Sequence, residues 1–153
     1  MRSFLLILLS LVSLHGESFD AYLKRFDYNE RTKMKIKSLE AVELYKMGEV
    51  EFVDIRFREE QAVWNFPFMK KIPLNELPDR LNELDKNKTI VTVCPHYDRA
   101  EMARIYLTLK GYKSRYLTDG MIGLAGYLRG AEAKEFVEET EKNINRLLRT
   151  PQS

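Results

Sequence analysis

Five consecutive β-branched residues, Thr89 to Val93, stand directly before a stretch of helical spacing, and together they constrain the fold more than any other part of the chain. A branched Cβ is restricted in a helix and packs well on a pleated surface, so the run predicts a short strand buried on both faces. After Arg99, the apolar positions Met102, Ala103, Tyr106 and Leu107 recur at helical spacing, and Gly111 is placed to cap that helix. The order is strand, tight loop, helix. The only cysteine, Cys94, stands where the strand ends, so its sulfur is expected near a helix N-terminus, whose partial positive charge favours a thiolate. The alternative is a small buried apolar residue that merely ends the strand.

The rest of the chain repeats this alternation. Met34 to Lys37 alternates as an edge strand would, and Ser38 is an N-cap candidate for a helix from Leu39 to Met47 that Gly48 ends. Glu51 to Arg56 predicts a strand, Leu77 to Leu84 a short helix, Ser114 to Leu117 another strand and Thr118 to Gly120 a turn. Ala131 to Arg149 is helical by period, with Phe136, Val137, Ile144, Leu147 and Leu148 on one side. Strands alternating with helices imply an α/β domain, a mainly parallel sheet with helices on both faces. Asp54, Cys94 and Asp119 then fall near the carboxyl ends of strands, the edge where open α/β sheets place their sites. Glu17 to Lys33 is expected as a short helix with an extended lead-in. The cluster Trp64, Phe66, Phe68 and Met69 is expected as a satellite core under a long loop, ahead of a partner surface or a pocket wall.

The segment Cys94-Pro-His-Tyr-Asp-Arg99, set between a β-branched strand and a helix, resembles the active-site loop of single-domain rhodanese-like sulfurtransferases. That family uses Cys-x4-Arg around a persulfide sulfur, whereas related phosphatases use a wider Cys-x5-Arg loop. Asp54-Ile-Arg56 resembles the family's Asp-x-Arg element. Two stretches depart from the pattern. Where the family commonly has Gly-His-Ile-Pro-Gly-Ala, this chain keeps only Ile72-Pro73, and Met121 to Tyr127 is glycine-rich but lacks the usual tryptophan. The resemblance runs from about Met34 to Gly130.

What it implies is sulfur transfer. Cys94 would attack the outer sulfur of thiosulfate, polysulfide or a persulfide, hold it as a Cys94 persulfide, and pass it to a thiol acceptor, which could be a protein. Backbone N–H groups from His96 onward would surround the anionic sulfur, as in an anion-binding nest. Arg99 would neutralise that sulfur, Arg56 would support the loop from the neighbouring strand, and His96 and Tyr97 would line the mouth. No cofactor is implied beyond the covalent persulfide. Pro95 donates no N–H, and Asp98 brings negative charge unless Arg99 or Arg104 pairs with it, so a persulfide or polysulfide is expected ahead of dianionic thiosulfate. The helix N-terminus and the guanidinium together would bring the thiol from about 8.5 to about 7 or below. A metal at Cys94 and His96 is rejected for want of soft ligands. The rival class is a non-catalytic rhodanese-like module that binds a protein through the Trp64 to Met69 surface.

The N-terminus differs from everything after it. Arg2 precedes an apolar run from Phe4 to Leu14 broken only by serines, then His15-Gly16-Glu17-Ser18, whose small Gly16 and Ser18 offer a cleavage site; this is the pattern of a secretory signal peptide and too short for the roughly 20 apolar residues of a spanning helix. The expected organisation is 1–16 signal peptide, 17–33 N-terminal extension, 34–130 rhodanese-like domain and 131–153 C-terminal helix and tail, in a protein exported to the periplasm or beyond. One cysteine cannot form an internal disulfide there. With 25 basic against 23 acidic residues, the chain has no global field to recruit nucleic acid. The C-terminal helix is expected to pack on its own sheet, with a homodimer contact as its second use.

Overall fold

The β-branched run is the central strand of a five-stranded sheet. In the computed structural model, which describes residues 16–149 and the side chains of its last helix as far as residue 142, that run is β4 (Thr89–Val93). It lies between β5 (Ser114–Leu117) and β2 (Val50–Asp54), and the edges are β1 (Lys35–Ile36) and β3 (Lys70–Lys71), in the order β1-β5-β4-β2-β3. Every pairing is parallel. Register sets Val50 level with Thr89 and Asp54 level with Val93, so Ile55, Arg56 and Cys94 leave the sheet at one edge. The proposed signal peptide lies outside the described residues, apart from Gly16.

Period-2 alternation divides the core into two layers. Val53, Ile55, Ile90 and Cys94 face one layer with Ala100, Ala103 and Leu107 of α5 (Asp98–Leu109). Val50, Phe52, Val91 and Val93 face the other, against α3 (Ser38–Lys46), α6 (Gly120–Tyr127) and Phe136 of α7 (Ala131–Arg149). The glycine-rich Met121 to Tyr127 is thus a helix, which its composition concealed: Leu124 and Met121 are buried while Gly126 has open space. The remaining helices are α1 (Phe19–Lys24), α2 (Tyr28–Lys33) and α4 (Arg58–Val63).

Several local expectations are corrected. Ser38 is the first helical residue rather than the cap; its N–H donates to Asp119 (3.2 Å to Oδ1), so a carboxylate from the loop after β5, the strand paired with β1, caps α3 instead. Asp119 is thereby a structural cap. Leu77 to Leu84 forms two 3-10 turns, Leu77–Asp79 and Leu81–Glu83, with Arg80 between them out of helical conformation at φ −120° and ψ 18°, rather than one short helix. Residues 17–33 hold two short helices, capped by Ser18 and Asp27. Phe66, Phe68 and Met69 are apolar packing as expected, but in the main core layer rather than a satellite, with Phe68 4.9 Å from Phe136 and 5.2 Å from Tyr45, centroid to centroid. Trp64 instead lies half-exposed over the Arg56 guanidinium at 4.4 Å.

Candidate active site

Three strand ends and the helices that follow them build the site. Chain leaving β4 turns at Cys94 and enters α5 four residues later, so the backbone of the loop curls back over the sulfur. The Thr92 hydroxyl donates to the carbonyl of Ala100 (2.8 Å), tying the strand to the first turn of the helix. From the other side, α6 donates Met121 N–H to the carbonyl of Cys94 (2.9 Å). Gly120 sits at φ +61°, and a Cβ there would collide with the carbonyl oxygens of Pro95 and His96 and lie 2.8 Å from His96 Cα. Only glycine lets α6 close on the loop this tightly.

Cys94 itself is fully buried, while His96, Tyr97 and Asp98 above it are exposed. Its thiol is not the low-pKa group expected from the sequence. Burial pushes it up, and the Asp98 carboxylate adds to that shift, while the backbone N–H groups of Ala100, His96 and Arg99 pull in the opposite direction. Those three groups are the expected nest. The Sγ donates to Asp98 Oδ1 at 3.6 Å, as a neutral thiol would. Asp98 is held ionised, its carboxyl below the ordinary value chiefly through the backbone N–H of Arg99.

The second correction concerns the arginines. Arg99 does not aim an unengaged cation at the sulfur: Nη1 and Nη2 donate to Glu60 at 2.6 and 2.9 Å, a bidentate pair. Glu60 is carried by α4 and also accepts the N–H of Phe57 (3.1 Å), half of a capping box that the phenyl side chain cannot complete. The Arg99 guanidinium beside it holds the Glu60 carboxyl at about 2. Arg104, the other partner considered for Asp98, faces away, bonded to Tyr22 (2.6 Å), Glu30 (2.5 Å) and the carbonyl of Ser114 (3.2 Å). Neither arginine makes an ion pair with Asp98 among the described residues, although the Arg99 charge helps to lower its carboxyl.

Arg56 is fully buried and serves as a brace. Its guanidinium is held by Asp54 (2.9 Å from Nε to Oδ1, 2.7 Å from Nη2 to Oδ2) and by the carbonyl of Trp64 (2.7 Å). Gln61 of α4 donates to the carbonyls of Asp54 and Arg56, both at 2.9 Å, which fixes the helix that carries Glu60. The structure thus gathers His96, Asp98 and Arg99 around Cys94, sets Tyr97 at the rim, and places Arg56 behind them. Sequence reasoning missed Glu60 and Gly120. The signal for Glu60 was its place in the first turn of a helix starting just after Arg56; nothing in the sequence pointed it at Arg99, 39 positions away.

Comparisons with known proteins agree with this geometry. Residues 39–125 match the family model described as "Rhodanese-like domain". The chain is 32% identical over 84 residues to the "Putative sulfur carrier protein YrkF" of Bacillus subtilis, a match covering 55% of this chain but only 41% of that protein. It is 28% identical over 97 residues to the "Putative sulfurtransferase YtwF" of the same organism, covering 61% of this chain and 94% of that one. Among solved structures, a rhodanese-like domain protein from Staphylococcus aureus is 31% identical with a TM-score of 0.52, over 59% of this chain and 89% of that one. A parallel sheet of this order, a cysteine at the end of its central strand and a family match over more than half of the residues lead to one conclusion: the chain belongs to the rhodanese-like domain family.

Proposed function

We propose that this protein is a sulfurtransferase or sulfur carrier that forms a persulfide on Cys94 and hands the sulfane sulfur to a thiol. The observation that carries the reading is the nest: three backbone N–H groups, of His96, Arg99 and Ala100, converge on a cysteine sulfur at the start of a twelve-residue helix. Such a nest does little for a neutral thiol and much for an anion. The persulfide is the anion it fits, because a persulfide is far more acidic than the thiol it comes from and extends one atom further into the loop.

The step balances without a redox cofactor. Cys94 sulfur attacks the outer sulfur of a donor R–S–S⁻, the S–S electron pair leaves with R–S⁻, and the proton of Cys94 ends on that leaving thiolate. A thiol acceptor then takes the outer sulfur and regenerates Cys94. The acceptor can be a small thiol or a protein cysteine. In keeping with its N-terminal pattern, we place the protein outside the cytoplasm; recovery of native protein beginning near Glu17 is the expected result, and intact Met1 on cytoplasmic protein would refute it.

The test is intact-mass spectrometry of purified protein after exposure to glutathione hydropersulfide or polysulfide. Gain of one sulfur in the wild type and none in Cys94→Ser supports the reading. Failure to gain sulfur from any donor, with the protein folded, leaves the buried neutral thiol as a strand-end residue and the chain as a binding module.

A further inference from the structure

The end of the sheet opposite Cys94 holds a cleft that the sulfur chemistry does not use. Its volume is about 540 Å³, within the range of about 300–1,000 Å³ that small-molecule sites occupy. Thr89 and Ser114, the first residues of β4 and β5, line it, so the length of β4, about 16 Å, separates it from the cysteine. One wall is α2, which lies outside the residues matched by the family model, so the cleft depends on the N-terminal extension and not on the shared domain alone. The other side is held firmly. Thr108 Oγ1 and Ser114 Oγ are 2.9 Å apart and each donates to the Arg104 carbonyl at 3.0 Å, while Ile90 N–H donates to the carbonyl of Lys113 at 2.8 Å.

The charge of the cleft is unbalanced. Glu30 is its only acidic residue and is paired with Arg104 at 2.5 Å; Glu40, from α3, pairs with Arg115 at 2.5 Å. Lys33, the last residue of α2, and Lys113, the residue before β5, are exposed and have no ion-pair partner among the described residues. Two positive charges from separate elements are therefore left facing one concave space, where like charges repel each other and attract an anion. We propose that this cleft is a second binding site, for a small organic dianion of which a phosphate monoester is the simplest. Lys33 and Lys113 hold the phosphate as point charges, and the Thr89 hydroxyl, which has no partner among the described residues, adds a neutral donor. Threonine methyls and the Tyr112 ring give the organic part of the ligand an apolar wall. A phosphate monoester loses its second proton at about 6, so at pH 7.5 its two charges match the two lysines.

The experiment is a titration of the isotope-labelled protein with phenyl phosphate at pH 7.5, followed by amide chemical shifts, with benzyl alcohol as the uncharged probe. Wild type should bind phenyl phosphate saturably, with the shifts centred on Lys33, Thr89 and Lys113, and should bind benzyl alcohol far more weakly. The double variant Lys33→Gln with Lys113→Gln should bind phenyl phosphate about tenfold more weakly or worse. Lys71→Gln removes an exposed charge from β3 instead and should stay within threefold of wild type. A double variant within threefold of wild type overturns the site, as does equal affinity for the uncharged probe. Shifts centred on His96 to Ala100 would put the anion in the cysteine loop and overturn it too, and so would the absence of saturable binding by about 10 mM. None of these outcomes touches sulfur loading of Cys94, so the proposed function stands or falls separately.

Discussion

Arg99 and Arg104 sit on the same helix, five residues apart, and each is paired with a glutamate from an earlier helix, yet they belong to different kinds of structure. Arg104 bonds Glu30, the Tyr22 hydroxyl and the carbonyl of Ser114, and its side chain is 4% exposed against 15% for Glu30. Arg99 bonds one carboxylate only, and the two side chains are 23% and 34% exposed. Two charges already removed from water and fully bonded cannot part without leaving an uncompensated charge behind, so the Arg104 network fastens the N-terminal extension to the domain. Two charges near solvent can part at small cost, so the Arg99 pair is exchangeable. Burial, rather than the identity of the ion pair, separates scaffold from site.

The largest effect should come from breaking that scaffold. Arg104→Met leaves Glu30 and the Tyr22 hydroxyl buried without their main partner and is expected to cost about 3–5 kcal/mol in urea unfolding. Arg99→Met, which breaks a pair near solvent, should cost at most about 1 kcal/mol. Equal losses of stability from the two would end the distinction.

Gly120 extends the comparison to the backbone. Placing a side chain at φ +61° costs about 1–2 kcal/mol in conformation alone, before the collision with Pro95 and His96 is counted. Gly120→Ala should therefore lose about 2 kcal/mol or more and disturb sulfur loading, because the loop must give way. Gly126→Ala, in the same helix with nothing near its Cβ position, should be neutral or stabilise by up to about 1 kcal/mol. Matching behaviour at the two glycines would show that α6 does not press on the cysteine loop.

Local signals in the sequence were enough for the sheet and insufficient for the site's electrostatics. The run Thr89 to Val93 and the stretch Ser114 to Leu117 form strands with the expected bounds, because β-branched and alternating residues carry their structure in the immediate neighbourhood. The helix at Ala131 to Arg149 was equally legible from its period. Met121 to Tyr127 was not, since three glycines from Gly120 to Gly126 obscure a helix that packing on Ala41 and Val42 secures. Cys94 and its nest could be located from the strand-loop-helix order alone. Its thiol, however, is governed by depth and by Asp98, and the charge of Arg99 is claimed by a residue 39 positions earlier. Motif spacing carries neither piece of information.

Within the site, Asp98 offers a smaller and cleaner perturbation. Burial raises the Cys94 thiol first and the Asp98 charge raises it further, so removing the charge should lower the thiol while leaving burial intact. Asp98→Asn should speed alkylation by a small uncharged reagent at pH 7 to 8, on the order of several-fold, by raising the thiolate fraction. Arg99→Met should move the rate less, because its positive charge is already balanced by Glu60. A slower Asp98→Asn would mean that the carboxylate helps remove the thiol proton instead of retaining it.

The smallest expected effect discriminates the two ion pairs by pH. Both glutamates are held below the ordinary carboxyl value of 4.5: Glu60 at about 2, chiefly by Arg99, and Glu30 where burial opposes the charge and Arg104, Tyr22 and Arg25 overcome it. A depressed carboxyl contributes stability that is fully present above the unfolded value and is lost as pH falls through the folded one. For Glu60 the window therefore runs from about 4.5 down to about 2, and solvent screening of a pair this exposed keeps its contribution below about 1 kcal/mol. The stability gap between wild type and Glu60→Gln should be that small at pH 6 and should close as acid is added across the window. Glu30→Gln, which withdraws a charge from beside a buried guanidinium, should open a gap several times larger at pH 6. Denaturant unfolding of the three proteins from pH 6 to pH 3 measures both gaps, and a Glu60 gap as large as that of Glu30 would make the Arg99 pair part of the scaffold rather than an exchangeable contact.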